Sequence, residues 1–185
     1  MTSNSSNKIG HVAIIMDGNS RWARQRNLKT IEGHKQGVNR LRDIVKYSAK
    51  SEITHLSVFA FSTENWKRSA SDVSDLMKLF LQSIIKEVPE LIENKVQLNF
   101  IGDIPRFSKS LVSQINSAMK DTQAKKPNLN LNVAISYGGR WDILNAIKRM
   151  KDHKINTDKL SEDDFSNLLS TSNFPDPDLL IRTGD

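Results

Sequence analysis

Short apolar runs alternate along this chain with longer stretches in which apolar residues return every three or four positions. The runs are Val12 to Met16, Leu56 to Phe61, Val96 to Ile101, Leu129 to Ser136 and Leu179 to Ile181, and each has the length of a strand. The periodic stretches between them predict helices over Ser20–Arg26, Gly33–Ser51, Asp72–Glu93, Ser108–Thr122 and Arg140–Lys151, with a short one near Glu162–Leu169. In the second of these, Val38, Leu41, Ile44, Val45 and Ala49 fall on one side. Strands alternating with helices predict an α/β fold built on a central, mostly parallel β-sheet flanked by helices. No repeat or linker divides the chain, so a single domain is expected over 9–185. A polar, Ser/Asn-rich tail, expected to be disordered, occupies 1–8.

One helix stands apart. Leu76, Phe80, Ile84, Val88 and Ile92 form an i+4 ridge, and Met77, Leu81 and Ile85 form the ridge beside it. Together they cover about half the circumference, wider than the stripe of an ordinary surface helix. Two readings are open: a helix packed between the sheet and a neighbour, or one wall of a greasy channel.

Composition narrows the class. The 185 residues are 37% hydrophobic and 26% charged, a globular balance that can bury a core without staples. There is no cysteine, which excludes disulfides and thiolate metal sites and agrees with a reducing, cytoplasmic location. Net charge is +6, which suits phosphate-bearing partners. The basic residues are dispersed, without the aromatic–basic interleaving of RNA-binding surfaces, so no nucleic-acid partner is expected. No apolar run approaches the roughly 18 residues of a membrane span, which leaves a peripheral membrane contact at most.

The chemistry gathers where strands end. Asp17-Gly18-Asn19-Ser20-Arg21 follows the first strand, and Ser62-Thr63-Glu64-Asn65-Trp66-Lys67-Arg68 the second. Tyr137-Gly138-Gly139-Arg140 follows the fourth, and Arg182-Thr183-Gly184 the fifth. If the strands are parallel, these clusters share the carboxyl edge of the sheet, where open α/β sheets bind ligands. Helix N-termini and arginines favour anions there. Asp17 is an acid among bases. It reads either as a helix N-cap or as a carboxylate that reaches phosphate through Mg²⁺.

These motifs resemble, in order, those of the cis-prenyltransferases, the undecaprenyl diphosphate synthase family. The resemblance is carried by His11-Val12-Ala13-Ile14-Ile15-Met16-Asp17-Gly18-Asn19-Ser20-Arg21-Trp22-Ala23, Gly33-His34-Lys35, Phe59 to Arg68, Gly102-Asp103, Tyr137 to Asp142 and Ile181-Arg182-Thr183-Gly184. It implies an α/β fold with a hydrophobic tunnel, usually homodimeric. It also implies a transferase that adds isopentenyl diphosphate to an allylic diphosphate of the farnesyl type and gives a long-chain polyprenyl diphosphate.

By the same resemblance Asp17 is catalytic and carries Mg²⁺. Gly18, Asn19, Ser20, Arg21 and His34 cradle the allylic diphosphate, and Trp22, Ser62, Thr63, Glu64, Trp66 and Arg68 line the substrate pocket. Asn65 occupies a position assigned a proton-abstracting role, although a neutral amide is a poor base and is better suited to orienting a substrate. Arg182 belongs to the isopentenyl diphosphate site, and Ala60, Leu98, Leu129 and Ile135 are candidates for the depth of the tunnel. Asp163-Asp164 lacks the third aspartate that a trans-type DDxxD pair requires.

Three departures from the family pattern stand out. Thr30 replaces a usual arginine, Asp72 stands where glutamate is common, and the sequence stops at Asp185, ahead of an Arg-x-Ser segment and a metal-site glutamate. The expectation is allylic diphosphate binding with weak or no turnover. Two other readings are an accessory subunit that binds diphosphate or a partner without turnover, and a generic anion- or nucleic-acid-binding α/β module.

Overall fold

A computed structural model describes residues 9–184; the predicted tail over 1–8 lies outside them. Five strands form one parallel sheet in the order β3-β4-β2-β1-β5: β1 His11–Ile15, β2 His55–Ser62, β3 Val96–Ile101, β4 Leu129–Tyr137 and β5 Leu179–Arg182. All four pairings are parallel, so every carboxyl end lies on one edge. The helices are α1 Asn19–Arg24, α2 Thr30–Ala49, α3 Ala70–Glu93, α4 Lys109–Asp121, α5 Gly139–Asp152 and α6 Glu162–Ser166, and a 3₁₀ turn spans Thr63–Lys67.

Register explains why the strands read as apolar runs. Val12, Leu56, Leu131 and Leu98 lie side by side across the sheet, as do Ile14, Val58, Val133 and Phe100. These rows build the main core, against which Leu41 and Val45 of α2 and Leu76, Phe80 and Ile84 of α3 pack. The opposite face is polar at its centre. His11 Nε2 bonds Ser57 Oγ at 2.7 Å, Asn132 Nδ2 donates to Ser57 Oγ at 3.2 Å, and Asn99 Nδ2 donates to Asn132 Oδ1 at 3.0 Å. Each buried group in the row thus has a partner, as burial of polar atoms demands.

The edge strand β3 is blunted by a side chain. Leu98 N–H, which has no strand beyond it, donates to Thr122 Oγ1 at the end of α4. Helix α3 begins two residues ahead of its predicted start because Ser69 caps it, accepting from Asp72 N–H. Helix α2 begins at Thr30 rather than Gly33; its first turn carries little apolar signal and was invisible to periodicity. The last helix ends at Ser166, not Leu169, and turns follow.

The broad apolar surface of α3 serves two purposes. Its inner ridge, Leu76, Phe80 and Ile84, faces the sheet, whereas Ile85 and Ile92 are exposed. Between α2, α3 and the sheet lies an apolar cavity of about 140 Å³. Ala60 and Leu98 line it as expected, but Leu129 and Ile135 do not. Leu129 sits at the amino end of β4, and Ile135 follows the register shift beside Phe59–Phe61; both are closed into the core. No helix among the described residues is long and apolar enough to cross a membrane.

Candidate active site

The carboxyl ends of β1 and β5 converge on Asp17. Gly18 follows at φ +94°, and its N–H turns back onto Asp17 Oδ1 at 2.6 Å. From β5, Thr183 Oγ1 accepts from Asp17 N–H at 3.0 Å and donates to Asp17 O at 2.8 Å. Gly184, at φ +80°, packs so closely that a Cβ there would lie 2.7 Å from Arg21 Nη2 and 2.8 Å from Gly18 N. Glycine is required at this crossing both for its φ and for the space.

The Asp17 carboxylate is held from two sides. Arg182 Nη2 donates to Oδ2 at 2.9 Å, and Arg21 Nη2 lies 3.7 Å from Oδ1. The side chain remains 40% exposed, so this is a rim and not a dry interior. The Arg182 hydrogen bond, then the Gly18 N–H and the two guanidinium charges, hold its carboxyl below the ordinary carboxylate range. It is anionic at neutral pH.

From β2 come Ser62, Asn65 and Arg68. Ser62 and Asn65 form a capping box: Asn65 Oδ1 accepts from Ser62 N–H at 3.0 Å, and Ser62 Oγ accepts from Asn65 N–H at 3.2 Å. Helix α2 contributes His34, whose buried Nε2 has no partner among the described residues. Burial first, then the charge of Arg68, lowers its pKa, against a smaller opposing effect of Asp72. A neutral imidazole with an unspent nitrogen therefore faces the cleft.

Asp17, Asn19, His34, Ser62, Asn65, Arg68 and Arg182 line one cleft of about 270 Å³. Gly18, Arg21 and Trp22 line an adjoining groove on the α1 side, where Arg26 stacks over the Trp22 ring at 4.3 Å. The remaining predicted site residues lie off these surfaces. Trp66 turns into the core against Phe61 and Phe107 and donates from Nε1 to Ser136 Oγ at 2.9 Å. Thr63 Oγ1 donates to Glu64 Oε2 in the exposed turn, and Ser20 lines neither space. Gln36 and Arg40, which no motif marks, also line the α1-side groove; their i+4 spacing on one face of α2 is the signal that points to them.

The cleft and the apolar cavity share walls. Met16, Val38, Ala60 and Phe80 line both. An arginine-rich mouth thus opens onto a greasy interior, an arrangement suited to an anionic head group with a hydrocarbon tail. Among the described residues no group of three or more His, Asp or Glu side chains stands ready to hold a metal ion unaided. Among the described residues the cleft offers one carboxylate, Asp17, and that fits Mg²⁺, which takes one or two carboxylates and completes its shell with phosphate oxygens and water.

Comparison with known proteins points the same way. Residues 15–185 match the family described as "Putative undecaprenyl diphosphate synthase". The chain is 44% identical to an isoprenyl transferase of Neisseria meningitidis over 174 residues, covering 94% of this chain and 69% of that protein. It is 45% identical to a farnesyl-diphosphate-specific ditrans,polycis-undecaprenyl-diphosphate synthase of Coxiella burnetii over 177 residues, covering 94% and 74%. Among solved structures it resembles lavandulyl diphosphate synthase from Lavandula x intermedia in complex with dimethylallyl diphosphate, with TM-score 0.88 and 34% identity over 94% of this chain and 77% of that one. A probable undecaprenyl diphosphate synthase from Campylobacter jejuni gives TM-score 0.79 and 30% identity over 97% and 77%.

Proposed function

The chain belongs to the undecaprenyl diphosphate synthase family of prenyl-transferring enzymes, and from that premise we propose that it condenses isopentenyl diphosphate with an allylic diphosphate of the farnesyl type at the Asp17 rim. One observation carries the reading: the cleft that holds Asp17, Arg68 and Arg182 shares Met16, Val38, Ala60 and Phe80 with the apolar cavity beneath α2 and α3. A diphosphate seated among the arginines would have its hydrocarbon tail directed into that cavity.

Asp17 would hold Mg²⁺, which would supply charge neutralisation to the departing diphosphate. In the free site Arg21 and Arg182 are engaged with Asp17. With a diphosphate present they would instead donate to its oxygens, where bidentate charge-assisted bonds are strongest. Arg68, which forms no ion pair among the described residues, would complete the anion grip. His34 would donate or accept at its buried Nε2 once a phosphate oxygen or water is there. The reaction breaks the allylic carbon–oxygen bond, forms one carbon–carbon bond and releases a proton from the isopentenyl unit. Asn65 would orient that unit; its Oδ1 is committed to Ser62, and a diphosphate oxygen is the stronger base.

We also propose a homodimer acting in the cytoplasm, in keeping with the family; exposed Leu144 and Ile147 on α5 supply apolar surface for such contacts.

The test is incorporation of labelled isopentenyl diphosphate onto farnesyl diphosphate with Mg²⁺, in wild type and Asp17→Ala. Loss of one charge-stabilising group is expected to lower the rate about 100-fold or more, with an unchanged circular-dichroism spectrum. Incorporation by the variant at the wild-type rate would refute the assignment.

A further inference from the structure

Strand β5 carries Arg182 to the rim, yet little in its own side chains sets its register. All four of its residues are exposed, with Leu179 at 40%, Leu180 at 63% and Ile181 at 40%. Register is strongly specified where one face of a strand is buried and weakly where it is not. A slip by one residue would turn Arg182 to the other face, and a slip by two would move it about 6–7 Å along the rim.

The amino end of the strand is held differently. Asp178 Oδ2 accepts from Gly10 N–H and His11 N–H, both at 2.8 Å, and Asp178 N–H donates to His11 O at 2.9 Å. His11 is buried; its Nδ1 bonds Pro175 O at 2.6 Å, and its Nε2 is used by Ser57. A carbonyl only accepts, so Nδ1 carries a proton, and Nε2 shares a hydrogen bond with the Ser57 hydroxyl. Gly10 O in turn accepts from Thr54 N–H and His55 N–H at the start of β2. Pro175 and Pro177, with φ locked, leave the intervening backbone little freedom to absorb a shift. The clamp therefore ties the entrance of β5 to β1 and β2 together.

We propose that Asp178 and His11 are positioning residues: they fix the register of β5 and so place Arg182 within reach of Asp17 and of a bound diphosphate at the opposite end of the strand. The paired register runs without interruption from Val12–Leu179 to Ile15–Arg182, so a displacement at the entrance is transmitted whole to the exit. The bonds Asp178 accepts from His11 and Gly10 hold its carboxyl below the ordinary range, in keeping with an anion set into backbone donors.

This inference rests on the proposed role of Arg182, and the test separates the two. Binding of inorganic pyrophosphate with Mg²⁺ would be measured by titration calorimetry in wild type, Asp178→Ala, Asp178→Asn, Arg182→Ala and the double variant Asp178→Ala/Arg182→Ala. Each titration is run well below the lowest melting temperature of the set. Arg182→Ala is expected to weaken binding about tenfold, the loss of one charge-assisted contact. Asp178→Ala should weaken it several-fold alone and add nothing in the Arg182→Ala background. Asp178→Asn, which keeps the acceptor oxygen, should bind nearly as wild type. Exchange of the Thr183 amide, which donates to Ile15 O at 3.1 Å, should quicken in Asp178→Ala and not in Asp178→Asn. Additive affinity losses, or unaltered exchange at Thr183, would overturn the proposal. Normal binding by Arg182→Ala would instead overturn the phosphate role of Arg182, and the positioning role would fall with it.

Discussion

Replacing Gly33 by alanine sets two known effects against each other at a point where the outcome reaches the site. Gly33 lies inside α2, where exchanging glycine for alanine ordinarily stabilises by roughly 1 kcal/mol. Here α1 crosses too closely. A Cβ on Gly33 would overlap the Asn19 carbonyl oxygen, lie 2.8 Å from its carbon and sit 3.2 Å from Ala23 Cβ. One turn on, a Cβ at Gly37 would meet the Asn19 side-chain amide nitrogen at 2.7 Å. At Gly33 the obstacle is backbone, which cannot rotate aside as a side chain can. Overpacking of this kind costs about 1–3 kcal/mol, and a backbone contact belongs at the upper end.

After subtracting the propensity gain, a net loss of about 2 kcal/mol remains. That corresponds to a melting temperature lower by roughly 4–8 °C for a chain of this size. Relief requires α1 to move by roughly 1 Å, and misplacement on that scale costs on the order of 100-fold in a positioned reaction. Asn19 and Arg21 travel with α1, so pyrophosphate binding should weaken together with stability. Gly139→Ala is the control: it too is a helical glycine, the first residue of α5, but nothing lies within 4 Å of its Cβ, and it should melt at or slightly above wild type. Thermal melts followed by circular dichroism, with calorimetric titration of pyrophosphate, read both effects. If Gly33→Ala melts higher than wild type and binds normally, the close crossing of α1 and α2 is not what holds Asn19 and Arg21 in place.

Acid should destabilise the fold through His34. Its folded-state pKa lies below its ordinary 6.5, so folding favours the neutral ring; that contribution is complete above about pH 6.5 and is lost as pH falls through the lowered value. Melting temperature should therefore drop as pH falls below about 6.5, and His34→Gln should flatten the drop, leaving the part due to His55, which burial lowers likewise. An unaltered pH profile in His34→Gln would exclude it as a source. Two ion pairs should differ in worth. Arg42 makes a two-pronged, largely buried contact with Glu87 across α2 and α3, so Glu87→Gln should cost about 1–2 kcal/mol in urea unfolding. Arg40–Asp43 is exposed at 81% and 63%, and Arg40→Ala should change stability by less than about 0.5 kcal/mol.

Much of this architecture is legible in the primary structure for a simple reason. A strand stacked between neighbours in register must be apolar along its length, so Val12–Met16 stands out without any partner in view, whereas Val96–Ile101 shows, through Gln97 and Asn99, the alternation of a strand with one polar face. The polar residues that follow them announce the carboxyl edge, since a parallel sheet has nowhere else to place Asp17, Ser62 and Arg182. The motifs also carried the family. What periodicity does not contain is the neighbour. Asp17 and Arg182 are 165 positions apart, and only the insertion of β1 between β2 and β5 brings them within 2.9 Å. Trp66 and Asn65 are adjacent, yet one turns into an aromatic core and the other lines the cleft, a division made by Ser136 and Phe107 from elsewhere in the chain. The polar clamp of Asp178 on Gly10 and His11 is equally invisible, because hydrogen bonds to backbone leave no mark on side-chain spacing. Local pattern is written by burial, which every residue experiences alone; site geometry is written by pairing between distant segments, and only the folded chain decides it.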